Sequence, residues 1–135
     1  MAERLILDTG VLIAAERGTT NLEAVIGDGD PVIAGISVAE LLVGMDRSTG
    51  ERRDSRALHT EALLAVMPIE SYSIEVARTH ALLQGHVRKK GSPRGTFDLI
   101  IAATAVANSR TLVTTDASAN FSDLPGLKVR VVGGG

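Results

Sequence analysis

Short continuous apolar runs alternate along the chain with longer amphipathic segments, and no period of about 20–50 residues repeats. Leu5-Ile6-Leu7 is a strand triplet ending at Asp8, and Val11-Leu12-Ile13-Ala14-Ala15 opens a helix that closes near Arg17-Gly18. Thr19 to Ile26 reads as a second short helix, ended by Gly27-Asp28-Gly29-Asp30. Pro31 to Ile36 is the next strand, and Ser37 starts a helix with Val38, Leu41, Leu42 and Met45 on its inward stripe. Glu51 to Met67 forms a long helix with Leu58, Ala62, Ala65 and Val66 inward, and Pro68-Ile69-Glu70 leaves room only for a short, edge-type strand. Ser73 to about Lys90 is a helix with Ile74, Ala77, Ala81 and Leu82 inward. After the basic, turn-forming Arg88 to Gly95, Thr96 begins a helix that is apolar almost all round and therefore central. Thr111 to Thr114 is a buried-type strand, Asp116 to Phe121 a turn or single helical turn, and Lys128 to Val132 a last strand near an edge.

Strands alternating with helices, without a tight hairpin signal, predict an α/β fold with a mainly parallel central sheet and helices on both faces. In such a sheet the C-terminal ends of strands and the N-terminal ends of helices share one edge, where doubly wound folds place their sites. The chain of 135 residues fits one domain over 1–132 with a flexible glycine tail at 133–135, since domains commonly run about 100–150 residues. With no cysteine there is no disulfide framework and no thiolate metal site, so a bound metal has to sit on oxygen or histidine. No apolar run approaches the roughly 20 residues of a membrane span, and Met1-Ala2-Glu3-Arg4 leads straight into a strand, so a cytoplasmic protein without membrane association is expected.

Placing the acids on this map is the informative step. Asp8 ends the first strand, Glu40 lies in the first turn after Ser37, Asp98 in the first turn after Thr96, and Asp116 follows the strand at Leu112-Val113, so all four face one edge. Each has a local explanation. Ser37-Val38-Ala39-Glu40 matches a capping box, Asp98 suits the positive end of a helix dipole, and Asp8 and Asp116 could be N-caps. Capping does not require convergence, however. A pair of carboxylates about 4 Å apart costs several kcal/mol at an effective dielectric near 20, and a hard divalent cation on oxygen ligands offsets that cost. Such an ion supports phosphodiester hydrolysis by activating water and polarising a phosphoryl oxygen.

Leu5-Ile6-Leu7-Asp8-Thr9, Ile36-Ser37-Val38-Ala39-Glu40-Leu41, Phe97-Asp98-Leu99-Ile100-Ile101-Ala102-Ala103-Thr104-Ala105 and Leu112-Val113-Thr114-Thr115-Asp116, closed by Leu124-Pro125-Gly126-Leu127-Lys128-Val129, resemble the ordered motifs of PIN-domain ribonucleases, in particular the VapC toxins of VapBC toxin–antitoxin pairs. The resemblance runs from about Leu5 to Val132. It implies a three-layer α/β/α sandwich, Mg²⁺-dependent endoribonuclease activity with Mn²⁺ as substitute, an RNA substrate, a VapB-type antitoxin that blocks the site, and a homodimer. By position, Asp8 and Asp98 would be the main metal ligands, Glu40 and Asp116 would complete the acidic pocket, and the Thr9 and Thr114 hydroxyls would orient ligands or bound water. A non-toxin RNA-processing nuclease, or a non-catalytic RNA- or protein-binding module on the same fold, stays open as an alternative.

Other phosphoryl-transfer folds fit less well. A haloacid-dehalogenase-type site wants an Asp where Gly10 stands, a receiver domain wants paired acids after its first strand, and no Gly-x4-Gly-Lys-Ser/Thr loop exists. His59, His80 and His86 are not spaced as a metal pair. The apolar helices around Val11–Ala15 and Val38–Met45 are core by periodicity, and surplus apolar surface there could receive an antitoxin helix.

The net charge of −2 argues against a globally basic nucleic-acid binder, yet with four of the 16 acids in the pocket the other 12 face 14 basic residues, a balance of +2. Between Val76 and Phe97 there are five basic residues and no acid, and Arg88, Lys89, Lys90 and Arg94 are candidates for holding RNA phosphates beside the pocket. Aromatic residues make up only 2% of the chain, so an interface built on many stacked bases is hard to supply.

Overall fold

In the computed structural model, residues 2–91, 94–116 and 121–133 are described. The elements are β1 (Arg4–Leu7), α1 (Thr9–Glu16), α2 (Leu22–Ile26), β2 (Asp30–Ala34), α3 (Gly35–Arg47), α4 (Gly50–Val66), β3 (Ile69–Glu70), α5 (Ile74–Lys90), α6 (Thr96–Ala107), β4 (Thr111–Thr114) and β5 (Lys128–Val131), with a 3₁₀ turn at Phe121–Asp123. The strands pair in the order β3-β2-β1-β4-β5, every pair parallel. The central β1 carries Leu5, Ile6 and Leu7, all fully buried, because a strand covered on both faces has no polar side to present.

Side-chain alternation divides the core into two layers. Leu5, Leu7, Ile33 and Val113 meet Val11 and Leu12 of α1 and Leu63 of α4, whereas Ile6, Val32 and Leu112 meet Val76, Leu83 and Val87 of α5 and the apolar residues of α6. The register sets Ile6 opposite both Val32 and Leu112, so a slip of one residue would turn each strand inside out. Helix α6 is covered by the sheet and by α5, hence its apolar circumference. This is the α/β/α sandwich expected of the sequence.

Local differences have physical causes. The second helix begins at Leu22, capped by the Asn21 side chain, which accepts from the Ala24 amide, and not at Thr19. β2 stops at Ala34 and α3 starts at Gly35, two residues before Ser37, so Ser37 is inside the helix and fully buried. The inward faces of α4 and α5 also differ from those the pattern predicts. Thr60 and Leu63 of α4 are buried while Leu58 and Val66 are about three-quarters exposed; Val76, Leu83 and Val87 of α5 are buried while Ile74 and Leu82 face solvent. Both helices carry apolar residues on two sides, and only packing against the sheet chooses between them. Leu42 of α3 is likewise at the surface. On α1, by contrast, Val11, Leu12 and Ala14 are spent on the core and offer nothing to a partner.

One buried cation, which the hydrophobic pattern does not mark, joins four strands. Arg110 precedes β4 and is 7% exposed. Its Nη1 donates to the carbonyls of Leu5 (3.1 Å) and Asp30 (2.8 Å), its Nη2 lies 3.5 Å from Asp30 Oδ2, and its Nε lies 3.7 Å from Glu70 Oε1. β1, β2 and β3 are thereby tied to the entry of β4. The expected glycine tail is described only at Gly133, whose carbonyl accepts from Thr20 Oγ1 (3.0 Å); Gly134 and Gly135 lie outside the described residues.

Candidate active site

Asp8 follows the last residue of β1 and is the N-cap of α1, its Oδ1 accepting from the Thr9 amide at 2.9 Å. Capping uses only one oxygen. The other, Oδ2, accepts from the Thr114 hydroxyl at 2.7 Å, and Thr114, fully buried at the end of β4, accepts in turn from the Asp116 amide at 3.0 Å. Thr114 thus fixes the position of one acid and the backbone of another.

Glu40 does not reach back to the Ser37 amide. With α3 starting at Gly35, Glu40 lies in its second turn, and the capping-box reading falls away. Thr9 Oγ1 lies 2.7 Å from Glu40 Oε1 and 2.8 Å from Ser37 Oγ. A threonine hydroxyl has one proton to give, so Thr9 donates to the carboxylate and the Ser37 hydroxyl donates to Thr9. Ser37 is a member of the site that sequence reasoning read only as a helix start. The available signal was a serine between Ile36 and Val38, at a position that α3 buries against α1.

The electrostatics join the acids to one another. Burial pushes the Asp8 carboxyl above its ordinary range; the bond from Thr114 opposes this, the charge of Asp98 adds to it, the Thr9 amide opposes it and Glu40 adds again. Asp98, in the first turn of α6, is raised first by burial and then by the charge of Asp116, and is lowered by the Arg94 guanidinium. Asp8, Glu40, Asp98 and Asp116 therefore share one edge at the C-terminal ends of β1 and β4, Asp116 being exposed and Asp8 buried.

The donor chemistry fits a hard divalent cation. The ligands on offer are carboxylate and hydroxyl oxygens, and apart from Arg94, which acts on Asp98, the charges acting on Asp8 and Asp98 are negative and repel one another. Among the described residues no three His, Asp or Glu side chains stand close enough together to hold a metal ion. Mg²⁺ does not ask for such a cage, since it takes one or two carboxylates directly and keeps several waters.

Around the acids the edge is open. A recess of about 460 Å³ is lined by Glu40, Gly95, Thr96, Phe97 and Asp98, and a neighbouring one of about 310 Å³ continues it along α3. At Gly10 a Cβ would stand 3.1 Å from Thr115 Oγ1, so the missing side chain leaves room for that hydroxyl. Arg88, Lys89 and Lys90 are exposed in the last turn of α5, which Gly91 ends with a left-handed φ of 65°. Arg94 is engaged: its Nη2 lies 3.7 Å from Asp123 Oδ2, and its charge acts on Asp98. His80 Nδ1 is 2.8 Å from the Tyr72 hydroxyl and His86 is half-buried on α5, while the half-buried His59 of α4 lines a small recess together with Glu40, on the side of α3 that faces Arg56.

Comparison with known proteins follows the same outline. The PIN domain family matches residues 5–127. The chain is 32% identical over 132 residues to Ribonuclease VapC1 of Rickettsia felis, covering 95% of this chain and 96% of that one. It is 33% identical over 113 residues to Ribonuclease VapC5 of Mycobacterium tuberculosis, covering 82% of each. Among solved structures it resembles VapBC-5 of Mycobacterium tuberculosis, a member of the VapBC family of toxin–antitoxin systems, with a TM-score of 0.76, 29% identity, and 95% and 96% of the two chains covered. It shares its fold with VapBC2 of Rickettsia felis bound to a DNA fragment from their promoter, with a TM-score of 0.84 at 24% identity over 95% and 98% of the chains.

Proposed function

The chain belongs to the PIN-domain family and, within it, to the VapC group, and from that premise we propose that it is a Mg²⁺-dependent endoribonuclease acting as the toxin of a toxin–antitoxin pair. The observation that carries this reading is the buried Asp8 carboxyl, held at the sheet edge by Thr114 and the Thr9 amide while Asp98 and Glu40 repel its charge. A protein that needed only a helix cap there would gain nothing from its acidic neighbours.

When bound, Mg²⁺ would supply a water of lowered pKa and would polarise a phosphoryl oxygen. Asp8 and Asp98 are the residues we assign to hold it, with Glu40 and Asp116 completing the pocket. Thr114 orients Asp8, and the Ser37–Thr9 pair orients Glu40, so the acids are set in place before substrate arrives. Arg94 limits the repulsion at Asp98. The experiment is direct: single-stranded RNA should be cut by the purified protein in Mg²⁺ or Mn²⁺ and left intact in EDTA. Cleavage that resists EDTA would overturn the reading.

Arg88, Lys89 and Lys90 are exposed and close the helix that leads to the acids, which suits binding of RNA phosphates. Neutralising all three should weaken RNA binding and reduce the slope of log K against log salt by roughly 0.7 for each phosphate no longer paired with a cation. An unchanged slope would remove them from the interface.

The antitoxin reading is supported by apolar side chains left in solvent on α4, in one helical layer, and on α5, in the other. Leu58, Val66 and Leu82 are each about three-quarters exposed, and Ile74 is 62% exposed, which invites coverage by another chain. Structures of VapBC and FitAB complexes with the same fold make an antitoxin of that type, or a second copy of this chain, the natural occupant.

A further inference from the structure

The two recesses beside the acids share Glu40 and Phe97 and form one groove. Its floor along α3 is a single stripe, Glu40, Val43, Gly44 and Arg47, at spacings i, i+3, i+4 and i+7. A rise of about 1.5 Å per residue puts Arg47 about 10 Å along the helix from Glu40. The opposite wall is Phe97, which directly precedes Asp98 in the first turn of α6 and is 48% exposed. Among the described residues Arg47 has no hydrogen bond or ion pair; it is exposed in the last turn of α3. Gly44 adds no side chain to this floor; a Cβ there would stand 3.7 Å from Arg56 Nη1, on the α4 side.

From one end to the other the groove offers carboxylates, an aromatic ring and an unpaired guanidinium. That order matches a polynucleotide strand in which a cleaved phosphodiester is followed by a base and then by the next phosphate. Resting on the ribonuclease reading above, we propose that Phe97 and Arg47 form a subsite for the nucleotide adjacent to the cleaved bond: its base stacks on the Phe97 ring and the phosphate beyond it pairs with Arg47. Stacking on one ring needs no aromatic-rich surface, so the scarcity of aromatic residues does not exclude it. The subsite selects for an unpaired base, because a base held in a duplex cannot leave its own stack to reach the ring.

The test uses the full chain and short labelled single-stranded RNA, with binding read by fluorescence anisotropy in EDTA, where no metal-dependent cleavage occurs. Phe97→Ala should weaken binding roughly tenfold and Phe97→Trp should retain it. Arg47→Gln should weaken binding and reduce the salt slope by about 0.7. An RNA in which each position in turn is made abasic should show one position where the wild type loses affinity and Phe97→Ala does not. Affinity unchanged in Phe97→Ala, or a loss accompanied by a changed oligomeric state in light scattering, would overturn the subsite, the latter by assigning the ring to a protein interface. If these binding effects appear while the wild type cuts no RNA in Mg²⁺ or Mn²⁺, the subsite stands and the nuclease reading fails. If the wild type cuts RNA in Mg²⁺ or Mn²⁺ but binds none in EDTA, the subsite falls and the nuclease reading stands.

Discussion

Asp98→Asn should lower metal-dependent RNA cleavage on the order of 10³-fold, and Asp8→Asn by a similar factor, because each removes a charge that the proposed pocket devotes to the cation. Neither change removes packing. The same variants carry a second readout that does not involve activity. Burial and the charge of Asp116 hold the Asp98 carboxyl above its ordinary value of 3.8 in the folded chain, so the folded state binds that proton more tightly than the unfolded one. Stability contributed by the protonated group is full below the unfolded pKa and is lost as pH rises through the folded pKa. In EDTA, the wild type should therefore lose stability across that window, and Asp98→Asn should lose less and melt higher at neutral pH. Saturating Mg²⁺ should close the gap, since a ligand at 100 times its Kd adds about 2.7 kcal/mol to the state that binds it. Thermal melts against pH, with and without Mg²⁺, decide the matter. Full cleavage by both variants would remove the acids from the reaction, and a lower melting point for Asp98→Asn at neutral pH would show that the carboxylate serves the fold.

Arg110→Ala should have the larger effect on stability, a loss of about 2–3 kcal/mol by chemical denaturation. The guanidinium is buried and satisfies two backbone carbonyls, of Leu5 and Asp30, that lose their donor when it goes. Breaking a fully buried ion pair costs about 3–5 kcal/mol. The lower figure applies here because Asp30 is about half-exposed and Glu70 about a third exposed, so water replaces part of what they lose. Arg110→Lys should recover only part of the loss, since one ammonium cannot occupy the three directions in which the guanidinium reaches. A loss below about 0.5 kcal/mol in Arg110→Ala would mean that the strand ends are held by the apolar layers alone.

The order of strands and helices was legible because it rests on local period. Leu5-Ile6-Leu7 reads as a strand covered on both faces, and α6 reads as a central helix, for the same reason: neither has a polar side. The acids were legible through topology, since a parallel sheet brings strand ends and helix starts to one edge whatever the loops do. The boundary at Gly35 was not. Ser37 looks like a cap, and only the end of β2 at Ala34 shows that the helix has already begun. On α4 and α5 the apolar residues occupy two sides, and periodicity could not tell Leu58 and Leu82, which face solvent, from Leu63 and Leu83, which face the sheet.

By itself the sequence determined a parallel α/β sandwich with Asp8, Glu40, Asp98 and Asp116 near one edge, because hydrophobic period and the placing of acids at element ends are properties of neighbouring residues. What only the tertiary structure decided depends on residues far apart in the chain. Thr9 meets Glu40 across 31 positions and Thr114 meets Asp8 across 106, Arg110 reaches three other strands, and Phe97 comes to stand across a groove from Arg47. Hydrogen bonds and grooves of this kind are made by packing two layers of helices on a sheet, and no local pattern encodes which side chains that packing brings within 3 Å of one another.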